Sequence, residues 1–288
     1  MKNLIKILFV LLMLPFVAVA QDKDSVKVKE KLERQAFESA TLIDNPTNVL
    51  FNKNTLEVQM QHRFGEINGD KNDLAGFYGA ANIRIAVSYA IFERLTIGFG
   101  TTKDAHLQDF NWKVALFRQT RSNSTPLSVS YYGNFTVNAR KSEGSGFYHI
   151  QDRYSFFNQL IIAKRFNPNI SLQIAPSVSH FNQVDPGSEP GRKFMDDDMI
   201  AVSLGGRFKV SPQTSILFDY SQPLSNIDSK PKSGISLGVE FATSAHSFQI
   251  FLTNYKGIVP QQNYMKNQND FFNGDVLIGF NITRNYNF

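Results

Sequence analysis

Beyond residue 54 the chain alternates. In TLEVQMQHRF, Leu56, Val58, Met60, His62 and Phe64 fall on one side of an extended segment, and Glu57, Gln59, Gln61 and Arg63 on the other. A period of two marks a strand, because successive side chains point to opposite faces of a sheet. The pattern returns in IRIAVSYAI, LTIGFG, FNWKVALF, LSVSYYGNFTVN, ISLQIAPSVSH, GISLGVEF and the closing DVLIGFNITRNYNF. Segments at 154–166, 199–208, 214–220 and 248–254 complete a set of twelve. Pro176 stands on the apolar face of its segment, where it removes one ladder hydrogen bond unless a bulge absorbs it.

Each apolar face is rich in Val, Ile, Leu and Phe, whereas the opposite faces carry amides, hydroxyls, small residues and scattered charge. The connections alternate between long and short, with GEINGDKNDLAGFYG followed by FER, and ARKSEGSGFYHIQD followed later by NPN. Alternating connection lengths are expected when one end of a closed sheet faces the periplasm and the other faces outside. In hydrocarbon every backbone polar group needs a partner, which a sheet without edges supplies. The expected fold is therefore all-β, a transmembrane antiparallel β-barrel of twelve strands over residues 54–288, with long external loops and short periplasmic turns. Tyr89, Trp112, Tyr131 and Tyr286 suit the interfacial girdles of such a barrel. A soluble secreted β-sandwich is the competing fold.

The first residues, MKNLIKILFVLLMLPFVAVAQ, have a basic start, an apolar core from Ile7 to Val17 and a small-x-small motif at Ala18–Ala20. They read as a signal peptide, residues 1–20, removed before Gln21. Residues 21–53 are expected to form a polar periplasmic arm, mobile or loosely docked, with a short surface helix near Glu30 to Phe37. The chain contains no Cys, which excludes disulfides, thiol catalysis and a cysteine-linked lipid anchor. Its net charge of +5 is mild and not gathered into a basic stripe, so nucleic acid is not an expected partner.

The closing segment carries Phe280, Ile282, Tyr286 and Phe288 on one face, interrupted by Arg284. A final strand of this kind is expected to close the barrel against the first, with Phe288 buried in the wall. It is similar to the terminal signal that barrel-assembly machinery reads in outer-membrane proteins. The chain also resembles a family of uncharacterised outer-membrane β-barrels of Bacteroidetes-type bacteria. The likeness lies in FESATLIDNPTNVL, QHRFG and NIRIAVSYAIFERLTIGFGTTKDAHLQDFNWKVAL, within residues 37–116. It implies the outer membrane of a Gram-negative cell, with membrane lipid as the surrounding partner, and brings no catalytic residue.

Little in the sequence points to bond-making chemistry. His62, His180 and His246 lie near the apolar periodicity, and Ser179 and Asn182 flank His180. A hydrolase needs a base within hydrogen-bond reach of its nucleophile, which spacing alone does not provide; interfacial histidines are the plainer reading. Asp196, Asp197 and Asp198, with Asp185 and Glu189, offer oxygens to calcium but lack fixed ligand offsets. The Gly144–Gly146 stretch lacks a phosphate-loop context. No cofactor is called for. Most informative are the polar faces: Glu57, Gln59, Gln61, Arg63, Arg84, Lys113, Asp219 and Glu240. They fit either a narrow aqueous pore for small solutes or a plugged lumen in which they pair, because buried charges left unpaired are costly. The two readings give a porin-like channel or a non-conducting scaffold for loops and ligands.

Overall fold

The computed structural model describes residues 30–69, 73–141, 147–183, 197–225 and 230–288. The signal-peptide segment and the Asp185–Asp196 part of the acidic loop lie outside these residues. The chain divides into a unit of residues 1–31, of which only 30 and 31 are described and exposed, and the unit of residues 32–288 treated below.

Residues 32–288 are built on twelve strands: β3 (Thr55–Glu66), β4 (Asn82–Phe92), β5 (Leu95–Thr102), β6 (Leu107–Phe117), β7 (Ser128–Asn138), β8 (Tyr154–Arg165), β9 (Ile170–Phe181), β10 (Asp198–Lys209), β11 (Thr214–Pro223), β12 (Gly234–Ala242), β13 (His246–Thr253) and β14 (Leu277–Asn287). Each pairs antiparallel with its neighbours, and β14 pairs with β3, so the sheet closes on itself. The closing register sets Tyr286 opposite Leu56, which in turn faces Tyr89 on β4.

The two faces follow the alternation. On β3 every second residue from Thr55 to Gly65 is buried, and Leu56, Val58, Met60, His62 and Phe64 lie outward between them. Elsewhere the outward apolar side chains stand open, Ile85 at 52%, Leu237 at 52% and Ile250 at 56% exposure. A fold with its polar residues inside and its aliphatic residues outside reverses the order of a water-soluble protein. Lipid on the outside resolves the reversal, and strands of 8 to 12 residues are long enough to cross its apolar core when tilted.

Three details bear on the expectations, and the first and last depart from them. β6 begins at Leu107 rather than Phe110, so the connection before it has four residues (103–106) and the one after it ten (118–127); this pair breaks the long-short alternation. Pro176 is accommodated without a bulge: the β8–β9 register is the same on both sides, and pairing skips Leu160 and Ile161. Phe288 lies just past β14. Its amide donates to the Asn54 carbonyl at 3.2 Å, but its side chain is 80% exposed rather than buried in the wall, because the outward face of the strand meets no protein.

The largest departure concerns the arm. No helix forms over residues 30–37. Instead the chain enters the barrel from the end carrying the tight turns, with residues 40–51 inside, and forms a minimal hairpin, β1 (Thr41–Leu42) and β2 (Asn45–Pro46). Leu42, Ile43, Asn45 and Thr47 are each at most 1% exposed. From the opposite, loop-bearing end, the β13–β14 connection folds inward as a short helix, α1 (Pro260–Lys266), with Gln261, Tyr264 and Met265 buried.

Candidate functional site

The inward half of each alternation builds the lumen wall. Glu57, Gln59, Gln61 and Arg63 on β3, Arg84 on β4, Lys113 on β6, Asp219 on β11 and Glu240 on β12 all face inward, none more than 7% exposed. Serines, threonines and amides fill the positions around them, Ser130, Gln159, Ser177, Ser203 and Ser247 among others. What most of these groups meet is the chain itself.

The hairpin tip is the centre of the largest network. Asp44 receives Arg63 Nη2 at 2.8 Å on one oxygen and the hydroxyls of Ser236 and Thr253, at 2.6 and 2.9 Å, on the other. Asp219 faces it from β11 and accepts the amides of Asp44 and Asn45 at 3.1 and 3.0 Å, together with Asn45 Nδ2 at 2.8 Å. Ile43 holds a left-handed backbone conformation, φ 49°, that a β-branched residue rarely adopts. Its amide donates to Gln249 Oε1 at 3.2 Å, and its carbonyl accepts from Arg63 at 3.1 Å and Asn281 at 2.8 Å. Strain of this kind persists where the surroundings over-determine it. The Arg63 guanidinium also lies 4.5 Å from the Phe251 ring centre.

The remaining charges group in three places. Arg84 and Asp109 form a two-pronged pair at 2.8 and 2.7 Å, and Gln59 and Gln61 accept from the same guanidinium. Gly100 makes room for this pair: a Cβ there would sit 2.5 Å from both Arg84 Nη2 and Asp109 Oδ2. Arg207 joins Glu240 of the wall to Glu38 of the arm, both at 2.9 Å. Lys113 donates to the Ala40 and Val49 carbonyls, both at 3.2 Å, and lines with Glu57 a polar cavity of about 50 Å³ between arm and wall. A cavity of that size and polarity suits a few water molecules.

α1 packs its Tyr264 and Met265 against Tyr132, Phe157, Ile161 and Met199, the apolar patch of the inner wall. Gln261 donates to Asn134 and Thr136 at 2.9 and 2.8 Å. Burial pushes the Tyr264 phenol well above its ordinary range, so it remains a hydrogen-bond donor. Outside the filled middle, a cavity of about 330 Å³ at the turn end is lined by Arg34, Arg165, Arg207 and Lys209, and one of about 220 Å³ at the loop end by amides together with Asp104, Lys256, Lys266, Leu107 and Ile258.

Asp44, Asp109, Arg207, Gln249, Asn281 and Tyr264 belong to this site although the spacing arguments did not single them out. Asp109 is the instructive case, since its inward position follows once the alternation is continued back through Leu107-Gln108-Asp109. Ser179 and His180 are not brought together. Ser179 points inward and His180 outward, as neighbours on a strand must, and the His180 ring nitrogens bond Asp198 at 2.8 Å and Asn182 at 3.0 Å. His62 stacks on Phe280, with ring centres 5.0 Å apart, and His246 on Phe248 at 5.9 Å. Among the described residues no group of three acidic or histidine side chains forms a metal site.

The family model described as a membrane bound beta barrel domain, DUF5777, matches residues 37–286 and so spans hairpin, barrel and α1 together. The chain belongs to this DUF5777 family. Among solved structures, the DUF5777 barrel is similar to the NanC porin in a rhombohedral crystal form: 9% identity, TM-score 0.50, covering 81% of this chain and 100% of that one. The KdgM porin aligns at 6% identity and TM-score 0.45 over 81% of this chain and 99% of its own. The COG4313 outer membrane channel from Pseudomonas putida F1 aligns at 13% and 0.46 over 83% and 97%. At such identities the likeness concerns the fold. No curated protein matches the DUF5777 chain in sequence.

Proposed function

We infer that this membrane-bound barrel resides in the outer membrane of a Gram-negative bacterium and is a gated pore for small polar solutes, seen in its closed state. The observation that carries the reading is that a chain segment, residues 40–51, fills a lumen walled by hydroxyls, amides and charges. A lumen meant to stay dry is more economically filled by large apolar side chains from the wall itself. This wall, relieved of the hairpin, presents a surface that water wets, with Glu57, Gln59, Gln61, Arg63, Arg84, Lys113, Asp219 and Glu240 lining the path. The outward face of Phe280, Ile282, Tyr286 and Phe288 fits recognition by barrel-assembly machinery.

A second reading is a non-conducting scaffold, favoured by the plug having two parts that enter from opposite ends. Planar-bilayer recordings separate the two. The refolded chain is expected to be silent or to open rarely, and a chain lacking residues 32–53 to carry steady current. Silence in both, with the barrel folded, favours the scaffold.

A further inference from the structure

Arg284 interrupts an otherwise apolar face. On β14 the outward positions are Ile278, Phe280, Ile282, Arg284 and Tyr286, alternating with the buried Gly279, Asn281 and Thr283. The guanidinium therefore stands on the lipid-facing surface of the barrel. It is exposed and lies over the Tyr286 ring, 4.7 Å from its centre. A cation on that surface is costly at the membrane midplane and tolerated near the interfaces. Arg284 is three positions from the turn-end limit of β14, roughly 7 Å along the membrane normal for a strand tilted at about 45°. That depth brings it close to the headgroups of the periplasmic leaflet.

The surroundings supply donors and no carboxylate. His246 on β13 is directly opposite Arg284 in the register, and residues so opposed have Cβ atoms about 4.5–5.5 Å apart. Its ring is outward too, stacked on Phe248, and an imidazole carries an N–H whether neutral or protonated. The acids of the neighbouring strands, Glu57 on β3 and Glu240 on β12, are buried on the inward face. Glu93, on the turn after β4, faces Arg118 at 3.6 Å. Lys53, exposed just before β3, adds positive charge to the same rim. Lys164 is also an outward cation near the turn end, but apolar Leu172 stands opposite it and its ammonium lies 5.5 Å from the Phe166 ring centre. At the loop end the outward charge is of the other sign: Asp198, bonded to His180.

We propose that Arg284 and His246 form a headgroup site for an anionic phospholipid of the periplasmic leaflet. The guanidinium fork matches two phosphate oxygens, and the His246 N–H reaches a third. The acyl chains then lie along the apolar wall above, against Phe248, Ile250 and Ile282. The patch selects a net negative lipid because a zwitterionic one brings an ammonium, for which no carboxylate is at hand. The site goes beyond the pore reading and holds with the lumen filled or open, since both residues stand outside the wall.

The test is native mass spectrometry of the refolded full chain in lauryldimethylamine oxide, titrated with dioleoyl phosphatidylglycerol or dioleoyl phosphatidylcholine. Phosphatidylglycerol is expected to bind saturably and about five- to tenfold more tightly than phosphatidylcholine, the value of roughly one cation at a membrane surface. Arg284→Gln is expected to remove that preference. His246→Phe, which keeps an aromatic ring beside Phe248 and loses the N–H, is expected to weaken phosphatidylglycerol about two- to threefold, the lower range of one hydrogen bond. Lys164→Gln is expected to change little. Equal binding of the two lipids by the unaltered chain overturns the proposal. So do equal losses in Arg284→Gln and Lys164→Gln, which would reduce the effect to general surface charge. All three positions face outward, and circular dichroism checks that the variants fold. Should Arg284→Gln fail to refold, Arg284→Lys keeps the charge without the fork; a loss of phosphatidylglycerol affinity in it supports the site, and unchanged affinity overturns it.

Discussion

The Tyr264 hydroxyl donates to Asn45 Oδ1 at 2.7 Å and shares the Ser221 hydroxyl at 3.2 Å. Tyr264 arrives from the loop end on α1 and Asn45 from the turn end on the hairpin, so this bond joins two plugs inside one barrel. On the gated-pore reading, each plug hinders withdrawal of the other.

Tyr264→Phe keeps the ring and its stacking on Phe157, whose centre is 5.6 Å away, and removes the bond. Stability is expected to fall by about 1–2 kcal/mol, measured by urea unfolding, and brief current openings are expected to become more frequent. The variant also alters the alkaline limb. The buried phenol stays protonated where an unfolded one ionises, near an ordinary value of about 10. The unfolded chain thus loses the proton first, and wild-type stability declines as pH rises past that value. The decline is expected to be shallower in Tyr264→Phe.

Arg63 and Asp44 form a pair with both side chains at most 2% exposed. Removing one partner leaves the other charge buried. Asp44→Ala is therefore expected to cost about 3–5 kcal/mol, and Asp44→Asn less, since it retains an acceptor for Ser236 and Thr253. Equal costs for the two, in the same urea assay, would contradict the network described.

Gly100→Ala places a methyl between Arg84 and Asp109. Overpacking of that kind typically costs about 1–3 kcal/mol. An alanine at neighbouring Thr101, an outward and exposed position, is expected to cost little. The contrast between adjacent residues reads out which face carries the ion pair.

Ile250 is 56% exposed midway along β13. On a water-soluble surface Ile250→Arg would change stability by no more than about 0.5 kcal/mol. Facing lipid, it is expected to cost about 2–4 kcal/mol near the membrane midplane, seen as poorer refolding into vesicles.

The barrel was legible because period-two alternation is a local property: most of the twelve segments show it without reference to any other, the apolar stretch 154–166 being the one whose faces were hard to assign. The lumen-facing charges followed from the same signal. The plug did not, because what fills a lumen depends on contacts across the chain. Asp44 and Asp219 are 175 positions apart. The high charge of residues 22–39 suggested a solvated arm, yet the stretch that enters the barrel, Ala40 to Phe51, has a single charged residue, apolar Leu42, Ile43, Val49 and Phe51, and turn residues at Asp44-Asn45-Pro46. That shift in composition was the available clue. α1 gave less warning, seven residues inside a long polar connection.

The central claim is that residues 40–51 lie inside the barrel. The chain has no native cysteine, so a single introduced thiol reports on one position. Thr47 is 0% exposed within the plug, and Lys53 is exposed where the segment joins β3. Reaction of Thr47→Cys and Lys53→Cys with a membrane-impermeant maleimide, in refolded full-length protein, is the direct measurement. Lys53→Cys is expected to label rapidly and Thr47→Cys only after denaturation; labelling of both at the same rate in the folded barrel would contradict the account.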